Sequence, residues 1–205
     1  MAQSYIKRIL NAQVYDVARE TPLDAAPLLS ARLGNQAFLK REDLQPVFSF
    51  KCRGAYNKMV HLDDAARSGG VVAASAGNHA QGVALAASKL EIKATIVMPV
   101  TTPLIKVDAV KALGAEVVMH GDSFDEAAVR ARALTEPEGF TFIHPFDDPD
   151  VIAGQGTVAV ELVRQAQQPL DYVFVCCGGG GLLAGMAAYL RYVWPQTRII
   201  GVEPE

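Results

Sequence analysis

Three short stretches carry residue types that could do chemistry. The first is Ser49-Phe50-Lys51-Cys52-Arg53-Gly54-Ala55. Lys51 stands two residues after Ser49, which reads as a helix N-cap, and Arg53 follows two residues later. An ammonium is disfavoured beside the positive end of a helix, beside another cation, and against aromatic rings such as Phe48 and Phe50. Each effect pulls the amine below its ordinary value of about 10.4. An amine that loses its proton easily is a good nucleophile for a carbonyl.

The second stretch is Ser75-Ala76-Gly77-Asn78-His79-Ala80-Gln81-Gly82. A strand ends there and a helix begins under Asn78. Ser75, the turn N–H groups and the Asn78 amide suit a carboxylate or a phenolate oxygen; simple helix capping by Ser75 or Asn78 is the alternative. His79 could transfer protons or merely orient the loop. The third stretch is Gly178-Gly179-Gly180-Gly181, between an apolar strand and a helix beginning near Leu182. Glycines let backbone N–H groups approach an anion, and the helix adds its positive end. This is a phosphate cradle by chemistry, or a tight turn chosen for close packing. Gly179, Gly181 and Ala184 also fit a G-x-G-x-x-A dinucleotide fingerprint, with Glu203 at the end of the next strand as ribose partner. That alternative is a nicotinamide-dependent oxidoreductase.

The elements that must position these residues alternate regularly. Ile6, Ile9, Leu10 and Val14 have helical spacing, which predicts a helix from Tyr5 to Val17. A strand is expected over 36–40 and a helix over 49–62. Strands are then expected over 70–75, 94–98, 116–120, 141–143, 172–176 and 198–202. Helices between them are expected over 78–90, 104–113, 123–135, 151–165 and 182–193. Ser123 with Glu126 makes a capping box. Strand and helix in alternation predict an α/β fold of parallel sheet with helices on both faces. Ligands then sit at the carboxyl ends of strands, where the second and third stretches lie.

Composition narrows the class. The chain has 205 residues, 50% hydrophobic and 20% charged, with a formal net charge of -3. That balance, without a basic stripe, argues against nucleic acid as a partner. No apolar run is long enough for a membrane span or follows the N-terminal charges as a signal peptide would. Cys52, Cys176 and Cys177 lack metal or disulfide spacing and read as reduced thiols, which implies a cytoplasmic protein. His144, Asp147, Asp148 and Asp150 look like turn chemistry around Pro145 and Pro149, not metal ligands. Cys52 reads as core, and His61 and His120 as structural or exposed.

Taken together, the lysine, the asparagine loop and the tetraglycine resemble the fold-type II pyridoxal-phosphate enzymes (the tryptophan synthase β-like fold). The run Lys40-Arg41-Glu42-Asp43-Leu44-Gln45-Pro46-Val47 brings the resemblance closest to the biosynthetic threonine dehydratases (threonine ammonia-lyases). The resemblance spans nearly the whole chain. It implies two open parallel twisted sheets with helices on both faces. Residues 1–50 and 151–205 would belong to the large, cofactor-binding lobe and 51–150 to the small lobe. It implies that Lys51 carries pyridoxal 5′-phosphate covalently, with Phe50 close to the ring. Asn78 would bond the phenolic oxygen, and Gly178, Gly179, Gly180, Gly181 and Leu182 would grip the phosphate. Ser75, Ala76, Gly77, Asn78 and His79 would receive the substrate carboxylate. The implied reaction takes L-threonine to 2-oxobutanoate and ammonia, the first step of isoleucine biosynthesis, with L-serine to pyruvate as a secondary route. A homo-oligomer is implied, a tetramer in the family. The family's catalytic domain is longer than this chain. The expectation is therefore a sheet incomplete at the C-terminus, with the remaining strands, the hydroxyl residue that meets the pyridine nitrogen and the isoleucine-sensing domain all absent. An inactive fragment is the corresponding alternative.

Overall fold

A computed structural model describes residues 2–204. The chain starts with helix α1 (Ala2–Leu10), which stops well before Val17. The Asn11 side chain folds back onto the Lys7 carbonyl at 2.8 Å, and the Gln13 N–H is taken by Asn57 Oδ1 at 2.8 Å. Helical spacing had picked out the buried Ile6, Ile9 and Val14 together with Leu10, which is exposed, but not the break before Val14. Strand β1 (Leu23–Ala25), helix α2 (Pro27–Leu33) and strand β2 (Phe38–Lys40) follow. β1 and β2 pair antiparallel, an addition to the parallel architecture that the pattern did not signal. A single 3-10 turn at Glu42–Leu44 then leads to α3 (Lys51–Val60) and α4 (Asp64–Gly69).

The alternating part contains β3 (Val71–Ala74), α5 (Asn78–Leu90), β4 (Ala94–Met98), α6 (Leu104–Ala112) and β5 (Glu116–Met119). It continues with α7 (Phe124–Ala133), α8 (Thr135–Glu138) and β6 (Thr141–Phe142). These strands form one parallel sheet in the order β5-β4-β3-β6. β3 and β4 are buried along their whole length, as strands covered on both faces must be. α5 packs on one face, with Val83 and Ala86 in the core beside Val71 and Ile96. α7 covers the other face through Ala127 and Ala131 against Val72 and Val97. The Ser123–Glu126 capping box forms as expected.

α9 (Pro149–Gln165), β7 (Tyr172–Cys176), α10 (Gly181–Val193) and β8 (Arg198–Val202) complete the described chain. β7 and β8 pair in parallel around α10, with Leu190 and Met186 packed on Val158 and Leu162 of α9. α3 is wedged between α5 and α9, and small residues set the spacing. A Cβ on Gly154 would stand 2.7 Å from the Cα of Gly54, so α9 and α3 cross backbone to backbone. A Cβ on Gly82 would come within 3.0 Å of the Lys51 carbonyl, so α5 seats the first turn of α3. Both crossings fix where Lys51 can stand.

Candidate active site

Lys51 opens α3. Phe50 precedes it in helical conformation, and Ser49 Oγ accepts the Lys51 N–H at 3.3 Å. Ser49 thus caps loosely, one residue further out than the usual N-cap position. Phe48 does not shield the lysine: its φ is 56° and it is 77% exposed. Phe50 does, its ring centroid 5.6 Å from Lys51 Nζ. Burial lowers the Lys51 pKa below the ordinary lysine value, and the neighbouring Cys176 thiol works weakly the other way. The expected contribution of Arg53 is not what depresses it. Arg53 is fully buried and turned away, and its charge is met by Glu42 at 2.8 Å and Glu161 at 2.6 Å.

Lys51 Nζ donates to the Pro145 carbonyl at 2.7 Å. The residue after that carbonyl, Phe146, packs on the tetraglycine. A Cβ on Gly179 would overlap the Phe146 ring, and one on Gly181 would stand 2.8 Å from the Phe146 carbonyl. Gly178 and Gly180 differ. Nothing lies within 4 Å of a Cβ at either, and Gly180 has φ +84°. The four glycines therefore have divided reasons: Gly179 and Gly181 make room for a neighbour, Gly178 leaves the space beside the loop open, and Gly180 does the same while taking a left-handed turn. α10 starts at Gly181 with no side-chain cap, so its first N–H groups remain available.

The asparagine loop lies at the carboxyl end of β3. Ser75 is buried, and its hydroxyl accepts the Gly77 N–H at 3.1 Å. α5 starts at Asn78, again with no side-chain cap, which leaves Ala76, Gly77 and the exposed Asn78 side chain facing outward. Simple capping by Ser75 or Asn78 is thus not how this helix begins. By contrast, Asp63, Ser123 and Asp148 cap α4, α7 and α9. His79 is buried, and its Nε2 donates to the Ile143 carbonyl at 2.9 Å.

One segment was missed. In the run from Ile143 to Phe146, Ile143 touches His79, Pro145 touches Lys51, and Phe146 touches Gly179 and Gly181. Read as sequence, His144 and Pro145 were only a turn. The signal that could have found them is positional. β6 neighbours β3 in the sheet, so its carboxyl end must open beside the asparagine loop. Among the described residues no cluster of His, Cys, Asp and Glu gathers as a metal centre.

This donor set fits pyridoxal phosphate. Its aldehyde needs an amine that sheds a proton readily, and its phosphate needs unobstructed N–H groups at a helix start. A doubly wound α/β chain with such a lysine and such a glycine loop defines a class, and comparison agrees. The family model of pyridoxal-phosphate dependent enzymes matches residues 14–205, and the chain belongs to that family.

Within it, the chain is 61% identical over 203 residues to the biosynthetic, chloroplastic threonine dehydratase of Arabidopsis thaliana, covering 99% of this chain and 34% of that protein. It is 57% identical over 207 residues to the biosynthetic L-threonine dehydratase of Burkholderia multivorans, covering 100% of this chain and 41% of that protein. Among solved structures, processed threonine deaminase isoform 2 of Solanum lycopersicum superposes with a TM-score of 0.96 at 54% identity, over 99% of this chain and 56% of that one. Maize serine racemase superposes at 0.90 with 35% identity, over 100% of this chain and 60% of that one. The chain thus spans between 34% and 41% of the length of these two curated relatives. These matches give the nicotinamide reading of Gly179, Gly181, Ala184 and Glu203 no support. The close approach at Gly179 and Gly181 is made by this chain's own Phe146.

Proposed function

We propose that this chain carries the cofactor-binding part of a pyridoxal-phosphate-dependent threonine ammonia-lyase, which takes L-threonine to 2-oxobutanoate and ammonia at the head of isoleucine biosynthesis. L-Serine to pyruvate is the secondary route. The observation that carries the reading is Lys51, an amine depressed by burial and held against the Pro145–Phe146 segment that covers the glycine loop. The identity to biosynthetic threonine dehydratases adds the substrate.

In this reading Lys51 holds the cofactor covalently, with Phe50 beside the ring. Asn78 bonds its phenolic oxygen. Gly178, Gly179, Gly180, Gly181 and Leu182 give backbone N–H groups to its phosphate. The bound cofactor supplies a conjugated, electron-withdrawing ring that takes up charge from the substrate Cα. Ser75 and the N–H groups of Ala76, Gly77, Asn78 and His79 orient the substrate carboxylate. Once the substrate amino group has displaced it from the cofactor, the freed Lys51 amine would take the α-proton, a task for which an amine of lowered pKa is suited.

Residues 51–150 serve as the small lobe, and 1–50 with 151–205 as part of the large one. A homo-oligomer, tetrameric as in the family, is the working assembly. A reducing compartment such as the cytoplasm suits three free thiols. Among the described residues no helix is long and apolar enough to cross a membrane.

The test is chemical. The chain is incubated with pyridoxal phosphate, reduced with borohydride and mapped by peptide mass spectrometry. The phosphopyridoxyl group is expected on Lys51 and lost in Lys51→Ala. An unmodified Lys51 in folded chain saturated with cofactor would sink the reading.

A further inference from the structure

The segment that leaves β6 grips the site at several successive points. The Ile143 carbonyl accepts from His79 Nε2 at 2.9 Å. His144 Nδ1 accepts the N–H groups of Phe146 at 3.3 Å and Asp147 at 2.8 Å, which curls the chain. The Pro145 carbonyl accepts from Lys51 at 2.7 Å, and Phe146 lies on Gly179 and Gly181.

His79 anchors this run. A carbonyl oxygen has no proton to give, so the proton must sit on Nε2 and Nδ1 must be bare. Nδ1 is buried and has no partner among the described residues. An imidazolium would need a second acceptor in that place. Burial pushes the His79 pKa down to about 4, and the positive charges of Lys51 and His144 work in the same direction. The ring therefore stays a neutral, one-sided donor across the working range of pH.

We propose that His79 is a positioning residue: its Nε2–H holds the Ile143 carbonyl, and through it the segment that gives Lys51 its acceptor and lies over Gly179 and Gly181. This rests on the cofactor-site reading and deepens it. A histidine that merely filled the core would stabilise the fold and leave the environment of Lys51 unchanged. An anchoring histidine sets how dry Lys51 is, because the segment it holds is part of what covers the amine. The other titratable groups that face Lys51 are Cys176 on β7 and His144 within the segment itself.

Two measurements on the chain without cofactor test this. In nitrogen-15 histidine spectra His79 should show the Nε2–H tautomer and should not titrate above about pH 5. A proton on Nδ1 overturns the proposal. In the second, acetic anhydride competes for Lys51 and for exposed Lys89 across a pH series, read by peptide mass spectrometry. In the native chain the Lys51 profile should lie below the ordinary lysine value, with Lys89 labelling as the internal standard for reagent. His79→Phe keeps a planar aromatic ring, slightly larger, and removes the donor. It should move the Lys51 profile up towards the ordinary lysine value and cut its labelling near neutral pH several-fold. His79→Gln restores an N–H at similar reach and should return the native profile. A native Lys51 profile in His79→Phe rejects the anchor. Should that variant not fold, the tautomer decides alone. Neither measurement uses pyridoxal phosphate. A chain that fails borohydride trapping yet shows the His79-dependent profile refutes the proposed function and keeps the anchor; the converse result does the opposite.

Discussion

Lys51 and Arg53 are cations two residues apart on α3, and the fold treats them in opposite ways. Arg53 is fully buried and meets a full set of acceptors. Glu42 takes two of its bonds at 2.8 Å, Glu161 takes two at 2.6 and 3.0 Å, and Thr157 and the Arg19 carbonyl take the rest. Lys40 joins from β2, 2.6 Å from Glu161, so two cations balance two carboxylates. Burial alone would raise the Glu161 carboxyl, but the Arg53 guanidinium overrides it and holds the pKa below the ordinary range. Lys51 has a neutral carbonyl and an aromatic ring instead. Burial is tolerated as charge where counter-charges come with it, and as lowered basicity where they do not. One turn of helix thus holds a fixed cation for structure and a labile one, the amine we propose for the chemistry.

The sharpest way to break this contrast is Arg53→Met. It leaves Glu161, with none of its side chain exposed, short of its main partner. Stripping one member from a buried pair costs about 3–5 kcal/mol, a large share of a domain's total stability. Urea unfolding should show the loss as a lower midpoint with little change in slope. A change within about 0.5 kcal/mol, the ordinary range for surface substitutions, would mean that the cluster is not doing what its geometry implies.

The next contrast lies within the glycine loop. Gly179→Ala drives a methyl into the Phe146 ring, and overpacking of this kind costs about 1–3 kcal/mol. Gly178→Ala meets open space and should leave the unfolding midpoint almost where it was. If Gly178 serves the cofactor phosphate, its methyl should instead weaken pyridoxal phosphate binding, read by titration of cofactor absorbance. Equal stability losses at the two positions would remove the distinction between packing and open glycines.

Much of this was legible beforehand, for physical reasons. Runs such as Val71–Ala74, wholly apolar, and Ala94–Met98, broken only by Thr95, are short enough to read as strands buried on both faces, and their alternation with helices gave the parallel sheet. Lys51, the asparagine loop and the glycines could be found because each needs an unusual residue at the end of an element. What could not be read was partnership across long separations. Arg53 looked like a neighbour of Lys51, yet its carboxylates lie 11 residues before it and 108 after it. His144 to Phe146 looked like loop because proline and aspartate dominate the local pattern, and only the order β3-β6 brings that loop to the lysine. In the arm formed by β1, α2 and β2 only β2 was expected, within the strand read over 36–40; α2 buries no residue, so it leaves no amphipathic signature.

The finest probe of the contrast is the pH dependence of stability with Lys51 removed. The folded pKa of Lys51 lies below its ordinary value, so burial of the ammonium works against folding at lower pH. As pH rises through the folded pKa towards the unfolded value of about 10.4, the unfolded state binds more protons than the native one, and stability from this group rises. Lys51→Met has no such group. Its urea midpoint should equal or exceed that of the native chain near neutral pH, and the native chain should gain on it towards pH ~10. The effect should be smaller than that of Gly179→Ala, since the amine is only partly buried and keeps the Pro145 acceptor. Arg53 supplies the control. Its guanidinium keeps its proton throughout, so the native chain should not gain on Arg53→Met over the same alkaline window. Parallel pH profiles for native and Lys51→Met chains would mean that Lys51 is as well solvated as any surface lysine, and the two cations of α3 would then differ only in their partners.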